Sequence, residues 1–535
     1  MDQGLALSTW RRGRGLVRSF ALPPGGRLLA SIQHLASRLW LYAVLVIACV
    51  VYVYFVSAGG VRNWPVYGVY LDFQADAFRA GHSYLAHQPA PELVRAQDPY
   101  NSVNIRYWAL DLSYFRGKYY CYWGPVPALF QAAGKALLGI TRTIGDQYIG
   151  LFSACLTVLG GGLIIERMGR RLFGRVPRSV LIFGILAFAF ANPMLHNVTT
   201  AGTYQSAILA GQAFLIPGVL FAFDAVWHAG TSSARRYRLW LAGLCWGLAL
   251  GSRVTVLPAV AFLIAITALA EGWLAERRWL RTFVNALCLG VPVAVTGLAL
   301  LWYNQLRFGN PMEFGLNLQL SGYPRLEHFD AQYTLPNLYS YALRPFASSC
   351  QFPYLYQVWR PSLEDAFPAG FKLPKVYYMT DEPVVGWLLV VPITWFMVFA
   401  FTLLPRPLGL RLRQGRVYLW CLASFSALSS LTGLTAMGVY GATMRYLSDV
   451  TPGLVLLGLL GAFALRAHRF GQMAPKLSSS AIALLASATI VFGCILGYQG
   501  YNGHFHKYNP ELDTRLVNAF SFCGNTKPKL PPFMP

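Results

Sequence analysis

Long apolar runs separated by short polar segments recur along the 535 residues from position 39 onward. A helix needs about 20 apolar residues to cross the hydrocarbon core of a bilayer, and most of these runs approach that length. The pattern predicts an all-α polytopic membrane protein with eleven transmembrane helices. The predicted spans cover residues 39–57, 146–165, 179–194, 204–226, 238–252, 254–271, 282–303, 384–404, 417–436, 446–465 and 479–499.

The apolar run at 124–140 is excluded from this set because counting it would place the strongly basic segment that follows the next span outside. We expect it to form an amphipathic helix lying at the outer interface. The first span follows a basic segment and is long enough to cross the bilayer, so it is predicted to be a retained signal anchor and not a cleaved peptide.

Charge along the chain predicts the orientation of these spans. The predicted inner segments hold 24 Lys and Arg residues and 5 acids, whereas the outer segments hold 20 and 16. Cytoplasmic loops carry the excess of Lys and Arg. The N-terminus is therefore predicted inside and the C-terminus outside, and the acids gather on the outer side.

Composition agrees with a membrane chain, because 55% of residues are hydrophobic and only 12% are charged, against about 25% charged in soluble domains. The net charge of +23 does not indicate nucleic-acid binding, since the basic residues punctuate apolar runs and do not cover one solvated face. Membrane lipids are the expected surroundings.

Five regions follow from this layout. They are a basic cytoplasmic N-terminus (1–38), a transmembrane core with a first outer loop at 58–145 (39–303), a large outer loop (304–383), C-terminal transmembrane helices (384–499) and an outer tail (500–535). The outer segments are rich in Tyr, Trp, Pro and Gly and are predicted to form one cap.

Cysteines and known motifs set few limits on function. Cys121, Cys350 and Cys523 fall in outer segments, where a disulfide is conceivable but its pairing is open. No P-loop, GxSxG, HExxH or Rossmann fingerprint occurs, and no cofactor is assigned, with a requirement for a divalent metal left open.

Two acids follow the first span in the stretch YLDFQADAF. Asp72 and Asp76 are four residues apart and would share one face of a helix. Two carboxylates at one site can divide roles, one as a base and one as an orienter or metal ligand. In the structural alternative, Asp72 caps a helix and Asp76 is solvated.

Two cationic positions are candidates for binding a lipid phosphate. Lys118 lies in the aromatic stretch FRGKYYCYWGP beside Tyr119 and Tyr120, where an ammonium group could meet a phosphate or simply extend to the interface. Arg253 lies between two short apolar runs, and a charge at that depth is usually functional or paired. It would face an outer-leaflet phosphate or an acid of the cap.

Two further stretches carry charges where predicted spans begin or end. In WYNQLRFGNPMEFG, Arg307 and Glu313 could pair with each other. In MRYLSDVTP, Arg445 and Asp449 flank Tyr446 and are four residues apart, so they could form a local ion pair. Alternatively, Arg445 faces a phosphate and Asp449 orients it.

Together these stretches resemble a known enzyme family. The acids after the first span, GKYY followed by GP, the Ser-Arg end of a short span, YNxxRFGxPxEFG and a late RYxxD span are similar to polyprenyl-phosphate-dependent glycosyltransferases of the GT-C class. The nearest members are bacterial proteins akin to the dolichyl-phosphate-mannose mannosyltransferase group.

The resemblance implies a reaction at the outer leaflet of a bacterial plasma membrane. A sugar on a polyprenyl phosphate would pass to a hydroxyl of a glycan, lipid or protein, with inversion. Asp72 or Asp76 would be the base, and Lys118, Arg253 and Arg445 would bind the phosphate. The chain has Asp-x-x-x-Asp where the family commonly has an Asp-Glu pair, which leaves the choice of base open.

Other classes of protein also fit parts of the pattern. A lipid or glycan transporter or flippase needs polar or broken helices near the midplane, whereas the predicted spans here contain few ionisable residues. A polysaccharide polymerase or ligase also carries a large outer loop, and a non-catalytic scaffold is a further alternative. The charges at the outer edge favour the glycosyltransferase.

Overall fold

The computed structural model describes residues 37–62, 64–174, 176–228, 233–272, 278–321, 329–357, 367–368, 373, 382–403, 410–439, 441–468, 474–501 and 503–523. The chain is an all-α polytopic membrane protein, as predicted. Seven stretches of the described chain are long and apolar enough to cross a membrane: Leu39–Val56, Gln147–Leu172, Thr203–Trp227, Trp279–Phe308, Leu412–Gly438, Met444–Ala467 and Lys476–Gln499.

The helices of the first half alternate between long apolar elements and short connecting ones. They are α1 (Leu39–Val56), α2 (Tyr70–Arg79), α3 (Pro91–Arg95), α4 (Val126–Leu137), α5 (Gln147–Leu172), α6 (Arg178–Phe190), α7 (Met194–Thr199), α8 (Thr203–Trp227), α9 (Ser233–Ser252), α10 (Leu257–Gly272) and α11 (Arg278–Phe308). A hairpin of β1 (Ser113–Phe115) and β2 (Lys118–Tyr120) lies between α3 and α4.

The second half adds three long helices and several short ones. They are α12 (Thr334–Ala342), α13 (Trp387–Val390), α14 (Met397–Thr402), α15 (Leu412–Ser430), α16 (Leu434–Gly438), α17 (Leu447–Ala467), α18 (Ala474–Gln499), α19 (His504–Tyr508) and α20 (Pro510–Phe520), with a two-residue ladder between β3 (Ala347–Ser348) and β4 (Leu355–Tyr356).

Four of the eleven predicted spans are not among these seven stretches. The runs at 179–194, 238–252 and 254–271 are helical in α6, α9 and α10. The run at 384–404 is divided into α13, a 3₁₀ turn at Pro392–Phe396 and α14, because proline cannot donate a backbone hydrogen bond inside a helix. The excluded run at 124–140 forms the 12-residue α4.

Burial in the bundle is greatest along α8 and α17. Eighty-three per cent of the apolar window of α8 and 78% of that of Met444–Ala467 are buried, against 22% for Trp279–Phe308. Glycines allow close packing, since a Cβ on Gly461 would meet the carbonyl oxygen of Phe396 at 1.9 Å. Residues of α11 such as Phe283, Val295 and Trp302 are exposed and form a surface suited to lipid.

Charged residues join the C-terminal ends of α5 and α8. Arg167 and Arg171 both contact the Asp224 carboxylate, the second at 2.8 Å. Both helices begin at the opposite end of the bundle, where Asp146 precedes α5 and Thr203 starts α8.

A disulfide joins the second outer segment to the C-terminal tail. Cys350 is bonded to Cys523, which settles the pairing that the sequence left open, and the third outer cysteine, Cys121, is a buried free thiol. The backbone N–H of Phe522 also donates to the Cys350 carbonyl oxygen at 2.9 Å. The disulfide and this hydrogen bond therefore hold the tail that follows α18 against the segment around Cys350.

Candidate functional site

A cavity of about 560 Å³ lies at the end of the bundle where α8 and α17 begin. Its wall combines the first outer segment, the starts of α8 and α17, the end of α11 and the residues that follow α11. The polar and aromatic residues lining it include Asp111, Tyr122, Trp123, Tyr204, Gln205, Arg253, Asn304, Arg307, Gln319, Ser321, Glu382, Thr443, Arg445, Tyr446 and Tyr501.

The first outer segment reaches this wall through a close approach to the end of α9. A Cβ on Gly124 would meet the carbonyl oxygens of Gly251 and Ser252 at 2.2 and 2.6 Å. Only glycine therefore lets the Tyr122–Gly124 stretch lie against the backbone just before Arg253.

Two cations of the wall are paired with carboxylates. Arg253 Nη2 lies 2.7 Å from Asp449 Oδ2, and Arg445 Nη1 lies 3.0 Å from Glu382 Oε1. Both guanidinium groups also approach the Tyr446 ring, at 5.5 and 5.6 Å from its centroid. Both ion pairs therefore lie near one aromatic ring.

The third cation, Arg307, is buried without a carboxylate partner. Only 4% of the residue is exposed, and its Nη1 and Nη2 donate to the Cys121 carbonyl oxygen and to Asn304 Oδ1, both at 2.6 Å. Within the part of the chain that the structure describes, no carboxylate lies within 4.0 Å of it, and its Nε has no hydrogen-bond partner. A buried charge in this state favours an anion.

Aromatic rings form another part of the wall. Tyr122 and Trp123 stack with centroids 4.2 Å apart, and Tyr204 meets Trp123 edge-on at 4.9 Å. Arg445 lies over the Tyr204 ring at 4.6 Å. Such rings can pack against the apolar faces of a sugar, while Gln205 and Asn304 supply neutral hydrogen-bonding groups.

Asp111 is the carboxyl group of the wall for which no ion pair is found among the described residues. Its backbone φ is +68°, a left-handed conformation in which Asp is enriched among non-glycine residues. Gln319 Nε2 donates to its Oδ1 at 3.1 Å. Desolvation raises the pKa of Asp111 above its ordinary value, as expected for a group suited to proton transfer.

The predicted base Asp72 lies elsewhere, in the contact between α2 and α4. Its side chain is fully buried and accepts hydrogen bonds from Gln131 Nε2 at 2.8 Å and Lys135 Nζ at 2.9 Å. The Ile144 backbone N–H donates to its other oxygen at 2.8 Å. Asp76 contacts the same Lys135 Nζ at 2.7 Å and is one-third exposed. Neither acid belongs to the described cavity wall.

Asp146 connects this polar network to α8. It accepts hydrogen bonds from the backbone N–H groups of Leu71 and Asp72 at 3.3 and 2.9 Å, and from the Thr203 hydroxyl. Burial raises the pKa of Asp146 to about 6. These contacts fix the start of α2 against the start of α8, which is a structural task.

Lys118 is also separate from the described cavity wall. It is exposed, and its Nζ lies 3.6 Å from the Tyr84 ring centroid. Its neighbours Tyr119 and Tyr120 are buried, with Tyr120 meeting Phe308 edge-on at 5.2 Å. The hairpin thus packs against the end of α11.

The partners of the other predicted residues differ from the local pairs that spacing suggested. Arg445 and Asp449 contact Glu382 and Arg253, not each other. Glu313 accepts from the Gly315 N–H at 2.6 Å and from Asn317 Nδ2 at 3.0 Å. Arg445 and Asp449 thus have partners distant in sequence, whereas Glu313 is bonded to residues two and four positions along the chain.

Asp111, Glu382 and Gln319 were missed by reasoning from the sequence. None of them forms a spaced pair with a second functional residue. One usable signal exists for Asp111, which stands two residues before the hairpin that contains GKYY and follows a run of exposed residues. Among the described residues, no group of three or more His, Cys, Asp or Glu side chains is placed to hold a metal ion.

No protein-family model and no curated protein matches this sequence. Among solved structures, the fold is similar to that of ArnT from Cupriavidus metallidurans bound to undecaprenyl phosphate, at 13% identity and a TM-score of 0.46, over 90% of this chain and 81% of that one. It is also similar to the oligosaccharyltransferase AglB from Archaeoglobus fulgidus in complex with an inhibitory peptide and a dolichol-phosphate, at 14% identity and a TM-score of 0.43, over 87% of this chain and 56% of that one. These likenesses are too distant to carry an argument about function.

Proposed function

We propose that this protein is a membrane glycosyltransferase of the GT-C type that transfers a sugar from a polyprenyl phosphate to an acceptor hydroxyl in the cavity. The observation that carries the proposal is Arg307, a buried cation on the cavity wall without a carboxylate partner among the described residues. A phosphate would supply the missing negative charge, and Asp111 would share the same cavity with it.

The donor phosphate would lie between Arg307 and the Arg445 side of the wall. Arg253 and Arg445 would keep their carboxylate partners. They would stabilise the phosphate through the electrostatic field of their guanidinium groups and through their Nε atoms, which have no hydrogen-bond partner among the described residues. Fixed cations in a partly dry site stabilise charge that develops on a leaving phosphate more than they would in water. The apolar residues Leu250, Val254 and Leu300, which also line the cavity, suit the first isoprene units.

Asp111 would act as the general base. Its carboxylate would take the proton of the acceptor hydroxyl, while the acceptor oxygen bonds to the anomeric carbon. The bond between that carbon and the phosphate oxygen would break, and the lipid phosphate would leave with the electron pair. Attack from the face opposite the phosphate inverts the anomeric configuration.

This assignment differs from the prediction that Asp72 or Asp76 is the base. A general base must reach the hydroxyl directly or through one water. Asp72 is fully buried and already accepts from Lys135 and Gln131, so a structural role fits it better. Its proposed role is to hold α2 on α4.

The cavity is expected to face the exterior of a plasma membrane. The Cys350–Cys523 disulfide favours an oxidising compartment for the tail that follows α18. Tyr501, in the same tail, lines the cavity. The basic cluster around Asp224 would then lie at the cytoplasmic end.

Thiol labelling of spheroplasts tests this orientation. In a Cys350→Ser variant, Cys523 is freed, and a membrane-impermeant maleimide should label it in spheroplasts, whereas the wild-type protein and the Cys350→Ser/Cys523→Ser variant should stay unlabelled. Labelling that requires permeabilised membranes would place the tail, and the cavity with it, on the cytoplasmic side.

Binding of a polyprenyl phosphate tests the anion site. Replacing Arg307 with Met removes the charge and keeps much of the apolar volume, so affinity in nanodiscs should fall at least about 10-fold, in line with the value of a charge-assisted hydrogen bond. The exposed Lys118→Met variant is the matched control and should bind as the wild type does. Equal losses in both variants, or no loss at Arg307, would contradict the assignment.

Sugar transfer from a radiolabelled polyprenyl-phosphate sugar separates the proposed enzyme from a flippase. Purified protein in vesicles should release free polyprenyl phosphate in step with labelled product. Movement of the intact donor between leaflets without release of the lipid phosphate would support a transporter instead.

A further inference from the structure

The segment that follows α11 is bound along the outer hairpin next to Asp111. The Asp111 N–H donates to the Leu320 carbonyl oxygen at 3.0 Å, and the Leu320 N–H donates to the Leu112 carbonyl oxygen at 2.9 Å. Ser113 Oγ donates to the Gly315 carbonyl oxygen at 2.7 Å. Two outer segments about 200 residues apart in sequence thus form one short ladder at the cavity.

Gly315 is required for this ladder. Its φ is +92°, and a Cβ there would meet Ser113 Oγ at 2.6 Å. The turn directs the chain so that Gln319 comes to face Ser113 in an antiparallel bridge. The side chain of Gln319 is 94% buried and lies on the cavity wall.

The Gln319 amide contacts two residues of the cavity wall, Asp111 and Tyr204. Its Nε2 lies 3.1 Å from Asp111 Oδ1 and 3.4 Å from the Tyr204 hydroxyl oxygen. An ionised carboxylate only accepts hydrogen bonds, so the amide must present its N–H to Asp111. The hydrogen bond from Gln319 is made to Oδ1, one of the two carboxylate oxygens.

We propose that Gln319 is the positioning residue for Asp111: its amide holds one carboxylate oxygen of the base and favours the ionised form. Because this role presupposes the proposed function, it fails if Asp111 is not the base. A neutral donor suits the task, since a cation at this position would lower the basicity of Asp111 further.

Other groups also bear on the charge of Asp111. Arg445 and the Tyr204 hydroxyl favour its ionised form, and Glu382 opposes it. The hydroxyl groups of Tyr70 and Tyr122 also interact with its charge. Replacing Gln319 leaves these side chains in place, and it removes the amide's contact with Asp111 together with its longer contact with the Tyr204 hydroxyl.

The test is the pH profile of kcat/KM in a Gln319→Leu variant. Loss of the amide donor destabilises the carboxylate, so the pKa of Asp111 rises and the acidic limb of the profile should move upward by about 1 pH unit. Activity should recover at alkaline pH. A Gln319→Glu variant, nearly identical in shape, should shift the limb further because it adds a second carboxyl group.

Asn317→Ala is the matched control on the same segment. Asn317 is exposed and bonded to Glu313, and its replacement should leave the profile in place. A uniform loss of rate in Gln319→Leu with an unmoved acidic limb would overturn the positioning role and leave only a structural one.

An activity-independent measurement covers the case in which a variant turns over poorly. Infrared titration of protein labelled with ¹³C-aspartate should show a carboxyl band that is absent from Asp111→Asn and that titrates at higher pH in Gln319→Leu and Gln319→Glu. The same titration point in all proteins that contain Asp111 would overturn the inference. An active Asp111→Asn enzyme would instead refute the proposed function.

Discussion

Replacing Asp111 with Asn should lower kcat for sugar transfer by about 10³-fold, within the range found when a general base is lost. Asn matches Asp in shape and can keep the left-handed backbone conformation at φ +68°. Folding and binding of the polyprenyl phosphate should therefore change little. The measurement is single-turnover transfer from a labelled donor, with donor affinity determined in parallel.

Asp76→Asn and Asp72→Asn are the comparison variants, because the sequence pointed to those acids first. Asp76→Asn should keep nearly full activity, since Asp76 lies outside the described cavity wall. Asp72→Asn should lose stability but keep the pH profile of the protein that remains folded. Full activity in Asp111→Asn together with inactive, well-folded Asp72→Asn would return the base to Asp72.

Replacing Lys135 with Met should destabilise the protein by about 3–5 kcal/mol, which is the usual cost of removing one partner from a buried ion pair. Lys135 is 1% exposed and contacts both Asp72 and Asp76. Its loss leaves the fully buried Asp72 carboxylate with neutral donors alone. Thermal unfolding in detergent, followed by intrinsic fluorescence, should show the loss.

A double-mutant cycle makes the cause specific. Adding Asp72→Asn to Lys135→Met removes the orphaned charge and should recover more than about 1 kcal/mol of the loss, a coupling typical of contacting residues. Lys118→Met, at an exposed position, should change stability by less than about 0.5 kcal/mol. Additive effects of the two buried substitutions would argue against the ion pair as a stabilising contact.

The helical architecture was predictable because it depends on local apolarity. The eleven apolar runs all contain helix, including the divided run at 384–404. Whether each run crosses the bilayer was not predictable from apolarity alone, since α6 has only 13 residues and Pro392 interrupts the region of α13 and α14. Helix length depends on capping and tertiary packing as well as on composition.

The site was predictable only where one residue carries an exceptional cost. Arg253 was singled out because a charge near a span is expensive, and Arg445 because it begins a predicted span in RYxxD; both line the cavity. Their partners were not predictable, because Arg253 pairs with Asp449 and Arg445 with Glu382 across long stretches of sequence. Spacing of three or four residues captures only contacts within one helix.

The two candidate bases, Asp72 and Asp111, also show that spacing in the sequence does not reveal contacts between distant segments. Asp72 and Asp76 stand out by spacing, but Lys135 on α4 neutralises them from about 60 residues away. Asp111 has no patterned neighbour, and it reaches the cavity because Gln319 and Leu320 bind beside it. Contacts between distant segments decide which acid is buried and which faces the cavity.

The most direct test of the cavity as the donor site is a cryo-EM structure of the protein in nanodiscs with a bound polyprenyl phosphate. The account predicts phosphate density within about 3 Å of the Arg307 guanidinium, in the same cavity as Asp111 and Arg445. Phosphate density at Lys118 or at Lys135, with the cavity free of lipid, would contradict it.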